Sequence, residues 1–315
     1  MIENLERLEL LLRCPTTGKP LVRTEAGYET AGDSPLVYPV LDGKPVLVDF
    51  ATSVLSPDVL HSSAASSPIE RPKLEFGRSL FKRMLSPEKK STRENIAKLL
   101  EGLPPQRSSS VLVIGGGTIG QGTDALYDCP MARVIALDIY QTANTHLIAD
   151  AHHIPLCDDA VDAVVIQAVL EHVIDPQAVV DEIWRVLRPG GMVYAETPFL
   201  QHVHEGPYDF MRFTESGHRY LFRKFALVGS GVSGGPGTQL LWSIDYFFKS
   251  LFRSRRIGKI FKMAFSWLQW LDPLIRSDYG SDAASGTFFL GRKSNRTISP
   301  REIVEFYRGA QVAGG

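Results

Sequence analysis

Three glycines and an aspartate are arranged in a way that could bind a nucleoside cofactor. The apolar run Val111–Ile114 leads directly into the spacing Gly115-x-Gly117-x-x-Gly120. Glycines allow the backbone to turn sharply and approach a ligand, and a helix that follows presents free N–H groups to it. The next apolar run ends in Asp138, whose carboxylate can accept hydrogen bonds from two ribose hydroxyls. A structural turn beside a solvated acid is the alternative.

A second set of chemically capable residues lies further along the chain, in a segment with two histidines. His202 and His204 are two residues apart, and we expect only one of them to reach the acceptor. Histidine titrates near neutral pH and suits proton transfer, so one of them is a candidate base, together with Asp209. A structural imidazole is the alternative, and a metal site with Glu205 or Asp209 lacks further ligands. We therefore predict no metal.

Asp209 is also followed, three residues later, by Arg212. Within a helix this spacing gives an ion pair. The alternative is that the pair orients a substrate.

These residues require a scaffold, and the chain from Ser110 onward alternates between strand and helix patterns. Strands are predicted at 111–115, 133–138, 161–166, 191–196, 225–231 and 286–291, and helices at 86–102, 120–128 and 175–187. Such alternation indicates a parallel sheet covered by helices on both faces. The carboxyl ends of its strands are where ligands bind in open sheets of this type.

Composition excludes several classes of protein. The 315 residues carry 34 Lys plus Arg and 35 Asp plus Glu, a formal net charge of −1, which argues against a broad nucleic-acid-binding face. An apolar content of 44% is that of a globular protein. Three widely spaced cysteines fit a reducing compartment. The sequence shows no secretory signal, and its longest uncharged stretch, 226–244, is too rich in glycine for a membrane span. We expect a cytoplasmic protein.

The middle of the chain resembles the class I S-adenosylmethionine-dependent methyltransferases, in particular those of type 11. The resemblance covers about Val111 to Phe199. It rests on Ile148-Ala149-Asp150-Ala151-His152, Val161-Asp162-Ala163-Val164-Val165, Val169-Leu170-Glu171-His172-Val173 and Arg185-Val186-Leu187-Arg188-Pro189-Gly190-Gly191. Dehydrogenases, which share the glycine loop, lack the last two segments. The resemblance implies a Rossmann-like seven-stranded mixed sheet and S-adenosyl-L-methionine as cofactor.

The family's cofactor-binding roles are carried over by matching positions. By this resemblance Gly115, Gly117 and Gly120 line the methionine and ribose side of the cofactor, and Asp138 holds the ribose hydroxyls. Asp150 accepts from the adenine amino group, with Ala151 and His152 beside it, and Gln167 and Ala168 face the sulfonium. Val113 stands where the family usually has an acidic residue. Glu171 and His172 are typical of the family and are expected to close a loop.

Residues 1–50 resemble a small zinc-ribbon domain that activates some methyltransferases. A four-cysteine zinc site needs two close cysteine pairs. Here Cys14 remains, while Thr17, Ala31 and Ser34 stand at the other three positions, so we predict a degenerate, metal-free domain. The predicted organisation is a ribbon-like domain at 1–50, a linker at 51–85, a methyltransferase domain at 86–298, and a C-terminal helix and tail at 299–315.

Residues 239–276 form a predicted helical insertion before the last strand. One interpretation is a lid over the acceptor site, with its aromatic residues buried against the core. The other starts from six cations between Lys249 and Lys262, interleaved with apolar residues and followed by two tryptophans. A helix with such a composition can lie in a membrane interface. On this view residues 249–270 make a peripheral contact with the inner face of the membrane.

The sequence therefore predicts a methyltransferase that O-methylates a small or glycan-type hydroxyl acceptor. The stretch that contains His202 and Asp209 also resembles a bacterial subgroup, some members of which act on saccharides or other hydroxylated metabolites. Two alternatives remain. One is N- or C-methylation of a metabolite, and the other is a cofactor-fold scaffold that binds a partner and turns over poorly.

Overall fold

A large mixed sheet dominates the computed structural model, which describes residues 8–57 and 90–311. In chain order the strands are β1 (Leu21–Thr24), β2 (Gly27–Thr30), β3 (Val37–Tyr38), β4 (Val40–Leu41), β5 (Lys44–Leu47), β6 (Ser109–Ile114), β7 (Ala132–Asp138), β8 (Leu147–Ala149), β9 (Val161–Gln167), β10 (Leu187–Pro198), β11 (Phe225–Gly234) and β12 (Gly286–Lys293). Nine of them form one sheet in the order β11-β12-β10-β9-β6-β7-β8-β5-β4.

The direction of the strands confirms the predicted fold class. Neighbours from β10 through β9, β6, β7 and β8 to β5 are parallel, whereas β12 is antiparallel to both β10 and β11. Strands β6–β12 are the seven of the predicted mixed sheet, and β5 and β4 extend it at one edge. The carboxyl ends of β6, β7 and β9 therefore meet at one edge, which is where the glycine loop begins.

Helices cover both faces of the sheet. They are α1 (Lys90–Glu101), α2 (Asp124–Asp128), α3 (Pro176–Val186), α4 (Glu215–Leu221), α5 (Pro236–Leu251), α6 (Arg255–Ala264), α7 (Ser277–Asp282) and α8 (Pro300–Glu305). Residues of β6 alternate between two buried clusters. Val111 and Val113 pack with α1 and α2 on one face, and Leu112 and Ile114 pack with α3 on the other. This two-sided burial explains the continuous apolar run that precedes the glycines.

Two predicted helices differ from the structure in extent. The helix predicted at 120–128 begins only at Asp124, because the glycine segment before it forms turns, with the Thr123 N–H donating to the Gly120 carbonyl at 3.2 Å. The helix predicted at 86–102 is present as α1 from Lys90, and residues 86–89 lie outside the described part of the chain.

The N-terminal residues join the main sheet through a tight hairpin. Strands β4 and β5 flank a turn at Asp42-Gly43, where φ is +47° and +77° as a two-residue hairpin requires. Val46 of β5 then pairs in parallel with Ile148 of β8. Strands β1–β3 form a separate small antiparallel sheet whose apolar residues share the main core. The division at residue 50 and the resemblance to a zinc ribbon stay predictions.

Cys14 lies beside this small sheet in a setting that suits a hydrogen-bonded thiol. It is buried, its Sγ lies 3.1 Å from the Tyr38 hydroxyl, and it accepts from the Thr17 N–H at 3.3 Å. We expect Cys14→Ser to leave the zinc content of the purified protein unchanged in elemental analysis, because no thiolate partner remains. Loss of one zinc per chain in that variant would contradict the prediction.

The segment between β11 and β12 is helical, as the sequence indicates, but its aromatic residues are not buried as the lid interpretation requires. Helices α5 and α6 form a hairpin in which Phe248 stacks on Phe261 at 3.5 Å between ring centroids. Phe247, Trp267 and Trp270 are exposed by 61%, 48% and 59%. The prediction of their burial was therefore wrong. Within the described residues, no helix is both long and apolar enough to cross a membrane.

Candidate active site

A cleft of about 1010 Å³ opens at the carboxyl ends of the parallel strands. All nine residues that the methyltransferase resemblance assigns to the cofactor line it: Gly115, Gly117, Gly120, Asp138, Asp150, Ala151, His152, Gln167 and Ala168. They come from four separate strand ends, so only the parallel order of the sheet brings them together. Their roles in binding stay predictions.

The glycine loop is fixed by Asp138. Its carboxylate accepts from the Gly117 N–H at 2.8 Å and from the Tyr140 N–H at 2.9 Å. A Cβ at residue 117 would lie 2.6 Å from Asp138 Oδ2, so only glycine allows this approach. Gly115 adopts φ of +76°, which favours glycine as the chain leaves β6. The loop and the acid therefore form one unit at the wall of the cleft.

Asp150 lines the cleft just after β8, the strand that pairs with β7, and the N-terminal segment helps to hold it. One of its oxygens accepts from the backbone N–H and from the ring Nδ1 of His152, at 3.0 and 2.6 Å, and the other accepts from the Ser53 hydroxyl at 2.5 Å. Burial raises the pKa of the Asp150 carboxyl, but the hydrogen bonds from His152 and Ser53 outweigh burial and lower it overall. Asp150 is thus ionised at neutral pH. No local pattern in the sequence pointed to Ser53.

The end of β9 is tied to the end of β10. The Gln167 amide donates to Glu196 at 2.9 Å, and the Ala168 N–H donates to the Glu196 carbonyl at 2.9 Å. Glu196 also accepts from Thr92 of α1 and lines the cleft. Sequence reasoning missed Glu196, although its place at the carboxyl end of β10 is the signal that could have found it. These contacts fix the floor of the cleft.

The segment after β10 is folded around an ion pair and is not helical at that point. Asp209 has an extended backbone conformation, with φ of −121° and ψ of 95°, and its carboxylate accepts from two guanidinium nitrogens of Arg212. Arg212 also donates to the carbonyls of Gln201 and His202, at 2.9 and 3.2 Å. Burial raises the pKa of the Asp209 carboxyl, but Arg212 and the His204 N–H hold it well below its usual range. The pair is present, and it organises a loop, so the intrahelical alternative does not apply.

The two candidate histidines face different surroundings. His204 lines the cleft, and its Nδ1 lies 3.2 Å from Asp209 Oδ2. His202 does not line the cleft and stacks on Tyr246 of α5, with 4.5 Å between ring centroids. Burial and the nearby Lys249 lower the pKa of His202. Of the three residues predicted to be catalytic, only His204 lines the cleft. Asp209 contacts the His204 ring from outside the cleft.

A short 3-10 turn at Leu170–His172 forms the wall beside His204. The Glu171 carbonyl accepts from the Phe210 and Met211 N–H groups, which ties the turn to the loop of Asp209. His172 lines the cleft, and its Nδ1 donates to the Tyr208 carbonyl at 2.8 Å. The Glu171 side chain is completely buried, and burial raises its pKa to about 8. The expected loop closure is therefore present, but these side chains also lie at the site.

A family of known proteins matches the part of the chain that builds much of this cleft. Residues 112–195 match the family model described as a methyltransferase domain. A relative in Mycolicibacterium smegmatis, named a probable S-adenosylmethionine-dependent methyltransferase, is 40% identical over 98 residues, which are 28% of this chain and 37% of the relative. The ubiquinone biosynthesis O-methyltransferase of Hydrogenovibrio crunogenus is 32% identical over 90 residues, or 28% of this chain and 37% of its own.

Among solved structures, the phosphoethanolamine N-methyltransferase 2 of Haemonchus contortus with S-adenosyl-L-methionine aligns with 80% of this chain and 62% of its own, at 16% identity and a TM-score of 0.46. The two curated relatives, from Mycolicibacterium smegmatis and Hydrogenovibrio crunogenus, are each matched over 37% of their length, so the chain spans less than half of either. The family match covers the glycine loop, Asp138, Asp150 and Gln167, which is the segment that the sequence motifs singled out. Residues 112–195 therefore match a methyltransferase domain.

Proposed function

We propose that the chain is an S-adenosylmethionine-dependent methyltransferase that methylates a hydroxyl group of a small or glycan-type acceptor. The donor part of this proposal is supported by the match of residues 112–195 to a methyltransferase domain and by the cleft that their strand ends enclose. The acceptor part depends on one observation. His204, held by the buried Asp209, lies at the wall of that same cleft.

The residues of the cleft fit the proposed cofactor. Added Cβ atoms at Gly117 and Gly120 would lie 2.6 and 2.0 Å from the Asp138 and Gln167 side chains, so larger residues there would displace side chains that line the cleft. Asp138 and Asp150 are acids at the ends of the neighbouring strands β7 and β8, suited to the ribose hydroxyls and the adenine amino group. When bound, S-adenosylmethionine supplies a methyl group that is open to nucleophilic attack.

The protein's own part in the reaction is alignment and proton transfer. Holding donor and acceptor in line converts an encounter of two molecules into a step within one complex. A hydroxyl acceptor must also lose its proton, and His204 is placed to accept it, because Asp209 holds the opposite nitrogen of the ring. The Arg212 contacts keep the carbonyls of the loop in place and so fix the position of His204.

Two measurements test this function. Calorimetric titration should show binding of S-adenosylmethionine, and a panel of hydroxylated metabolites and saccharides should reveal turnover by release of S-adenosylhomocysteine. Tight binding of a nicotinamide nucleotide in place of S-adenosylmethionine would overturn the cofactor class. Turnover on amines alone would favour N-methylation. Donor binding with no turnover, together with a stable partner in pull-downs, would favour the scaffold.

An exposed apolar and basic face on the α5–α6 hairpin supports a second element of the proposal, contact with an anionic membrane. Four of the predicted cations are exposed: Arg253, Arg255, Arg256 and Lys259. Lys249 packs over the Tyr246 ring at 4.0 Å, and burial lowers the pKa of Lys262, so these two contribute less. The exposed Phe247, Phe252 and Trp270 supply the apolar surface that interfacial helices use. Such a contact would bring the site close to a lipid-linked acceptor.

Charge reversal on the hairpin should abolish this contact. Each cation near an anionic surface contributes about 1 kcal/mol, so replacing Arg253, Arg255 and Arg256 by Glu should weaken binding at least about 100-fold. Co-sedimentation with vesicles of phosphatidylglycerol and phosphatidylcholine measures this. The matched control replaces Lys98, Arg133 and Arg301 by Glu, because these three exposed cations lie outside the α5–α6 hairpin. Equal loss in both variants, or no binding by wild type at low salt, would refute the membrane contact.

A further inference from the structure

Three potential metal ligands meet beside the proposed acceptor site. Glu171, His172 and His204 each offer one ligand atom, and the three atoms all lie within 4.8 Å of one another. The first two residues belong to the 3-10 turn after β9, and the third comes from the loop after β10. Only the fold brings them together, which is why the sequence alone predicted no metal.

Glu171 is the member of this cluster that most requires a partner. Its side chain has no exposed surface, and neither carboxylate oxygen has a hydrogen-bond partner within the described residues. A buried carboxylate is costly unless it is paired with a charge, hydrogen-bonded or bound to a metal. His172 Nε2, at 3.6 Å from Glu171 Oε1, is too far for a normal hydrogen bond. The Glu171 carboxyl group therefore lies beside the two imidazoles with no hydrogen bond to another described residue.

Both imidazoles are held as metal ligands usually are. His172 donates from Nδ1 to the Tyr208 carbonyl at 2.8 Å, which leaves Nε2 with its lone pair available. His204 has its Nδ1 within 3.2 Å of both the His202 carbonyl and the Asp209 carboxylate. Histidines that bind metals commonly donate their other ring N–H to a carbonyl or a carboxylate, which fixes the tautomer and the ring orientation. Here both second partners are in place.

We propose that Glu171, His172 and His204 bind a divalent first-row transition cation. Two imidazoles and one carboxylate suit Mn²⁺, Fe²⁺, Co²⁺ or Zn²⁺ better than Mg²⁺ or Ca²⁺, which prefer oxygen ligands. Three protein ligands leave coordination positions open, as in catalytic rather than structural sites. His172 and His204 both line the cleft, so a cation held by them would border the space proposed for the acceptor.

The role of the cation, unlike its binding, rests on the proposed function. An acceptor hydroxyl bound to the cation would lose its proton to water more readily, because a Lewis acid stabilises the oxyanion that keeps the electron pair. The cation and a proton compete for the same nitrogen of His204. In the cation-loaded protein His204 is therefore a ligand, and in the cation-free protein it is the proton acceptor.

Manganese binding tests the site without donor or acceptor present. The full chain, freed of metal with a chelator, is titrated with MnCl₂ while free Mn²⁺ is followed by electron paramagnetic resonance. We expect one Mn²⁺ to bind per chain. Zn²⁺ should displace it, whereas Mg²⁺ at the same concentration should not. Mutating a residue that only hydrogen-bonds a metal ligand usually lowers metal affinity by about 10- to 100-fold. Glu171→Gln removes a ligand itself, so it should lower the affinity for Mn²⁺ by at least about 100-fold.

Matched variants keep the result interpretable. His202→Ala removes a neighbouring histidine that is outside the cluster and should bind Mn²⁺ as wild type does. His172→Ala provides a second ligand variant if Glu171→Gln fails to fold, which thermal unfolding will show. The site would be refuted if wild type showed no saturable Mn²⁺ binding. It would also be refuted if both ligand variants bound Mn²⁺ as tightly as wild type. Because no donor or acceptor is used, methyl transfer without Mn²⁺ binding would leave the proposed function intact.

Discussion

Replacing His204 by alanine is expected to lower the turnover number for methyl transfer to a hydroxyl acceptor by about 10²- to 10⁴-fold, the usual contribution of a positioned base. The imidazole lies in the cleft and is oriented by Asp209, so the variant loses the group that receives the proton. Affinity for S-adenosylmethionine should change little, because the donor side is built by other residues. Steady-state kinetics with the true acceptor, together with donor calorimetry, measures both effects.

His202→Ala provides the control for this prediction. His202 is in the same loop but stacks on Tyr246 outside the cleft, so its removal should leave turnover close to that of wild type. The reverse outcome, a large loss in His202→Ala and none in His204→Ala, would show that the loop is arranged differently during catalysis. Full turnover in both variants would mean that no histidine of this loop serves as the base.

The scaffold was predictable from the sequence because its signals are local. The buried strands β6 and β9 are continuous apolar runs, and the turn at Asp42-Gly43 has the residues that a tight hairpin requires. Short elements carry weaker signals. Strand β8 has three residues, too few for a periodic pattern, and it was not predicted. Helix α4 was also missed, although Thr214 caps it by accepting from the Gly217 N–H.

The composition of the site was less predictable because it depends on contacts between distant residues. Ser53 meets Asp150 only because β5 joins the edge of the sheet beside β8. Glu171 and His204 meet because the Glu171 carbonyl ties the turn after β9 to the loop after β10. Pattern and spacing can assign a residue to a strand end, but they cannot say which loop folds against it. The same limit applies to the exposed aromatic residues of the α5–α6 hairpin.

Asp138→Ala should weaken binding of S-adenosylmethionine by roughly 10- to 150-fold. Hydrogen bonds to a charged group contribute about 1.5–3 kcal/mol, and each 1.4 kcal/mol is about a factor of ten in affinity. In the protein without donor, Asp138 accepts from the N–H groups of Gly117 and Tyr140. The substitution therefore removes the ribose acceptor and also loosens the loop that contacts the donor. Calorimetric titration measures the loss.

Asp138→Asn separates these two effects. Asparagine keeps the size of the side chain and one acceptor oxygen, so it can still hold the Gly117 N–H, but it lacks the charge that strengthens bonds from ribose hydroxyls. If charge dominates, its affinity should fall nearly as far as that of the alanine variant; if loop order dominates, it should remain near wild type. Unchanged affinity in both folded variants would remove Asp138 from the donor site. Thermal unfolding of each variant shows whether the fold is retained. This control is needed because an unfolded variant would also lose affinity for S-adenosylmethionine, whether or not Asp138 contacts the ribose.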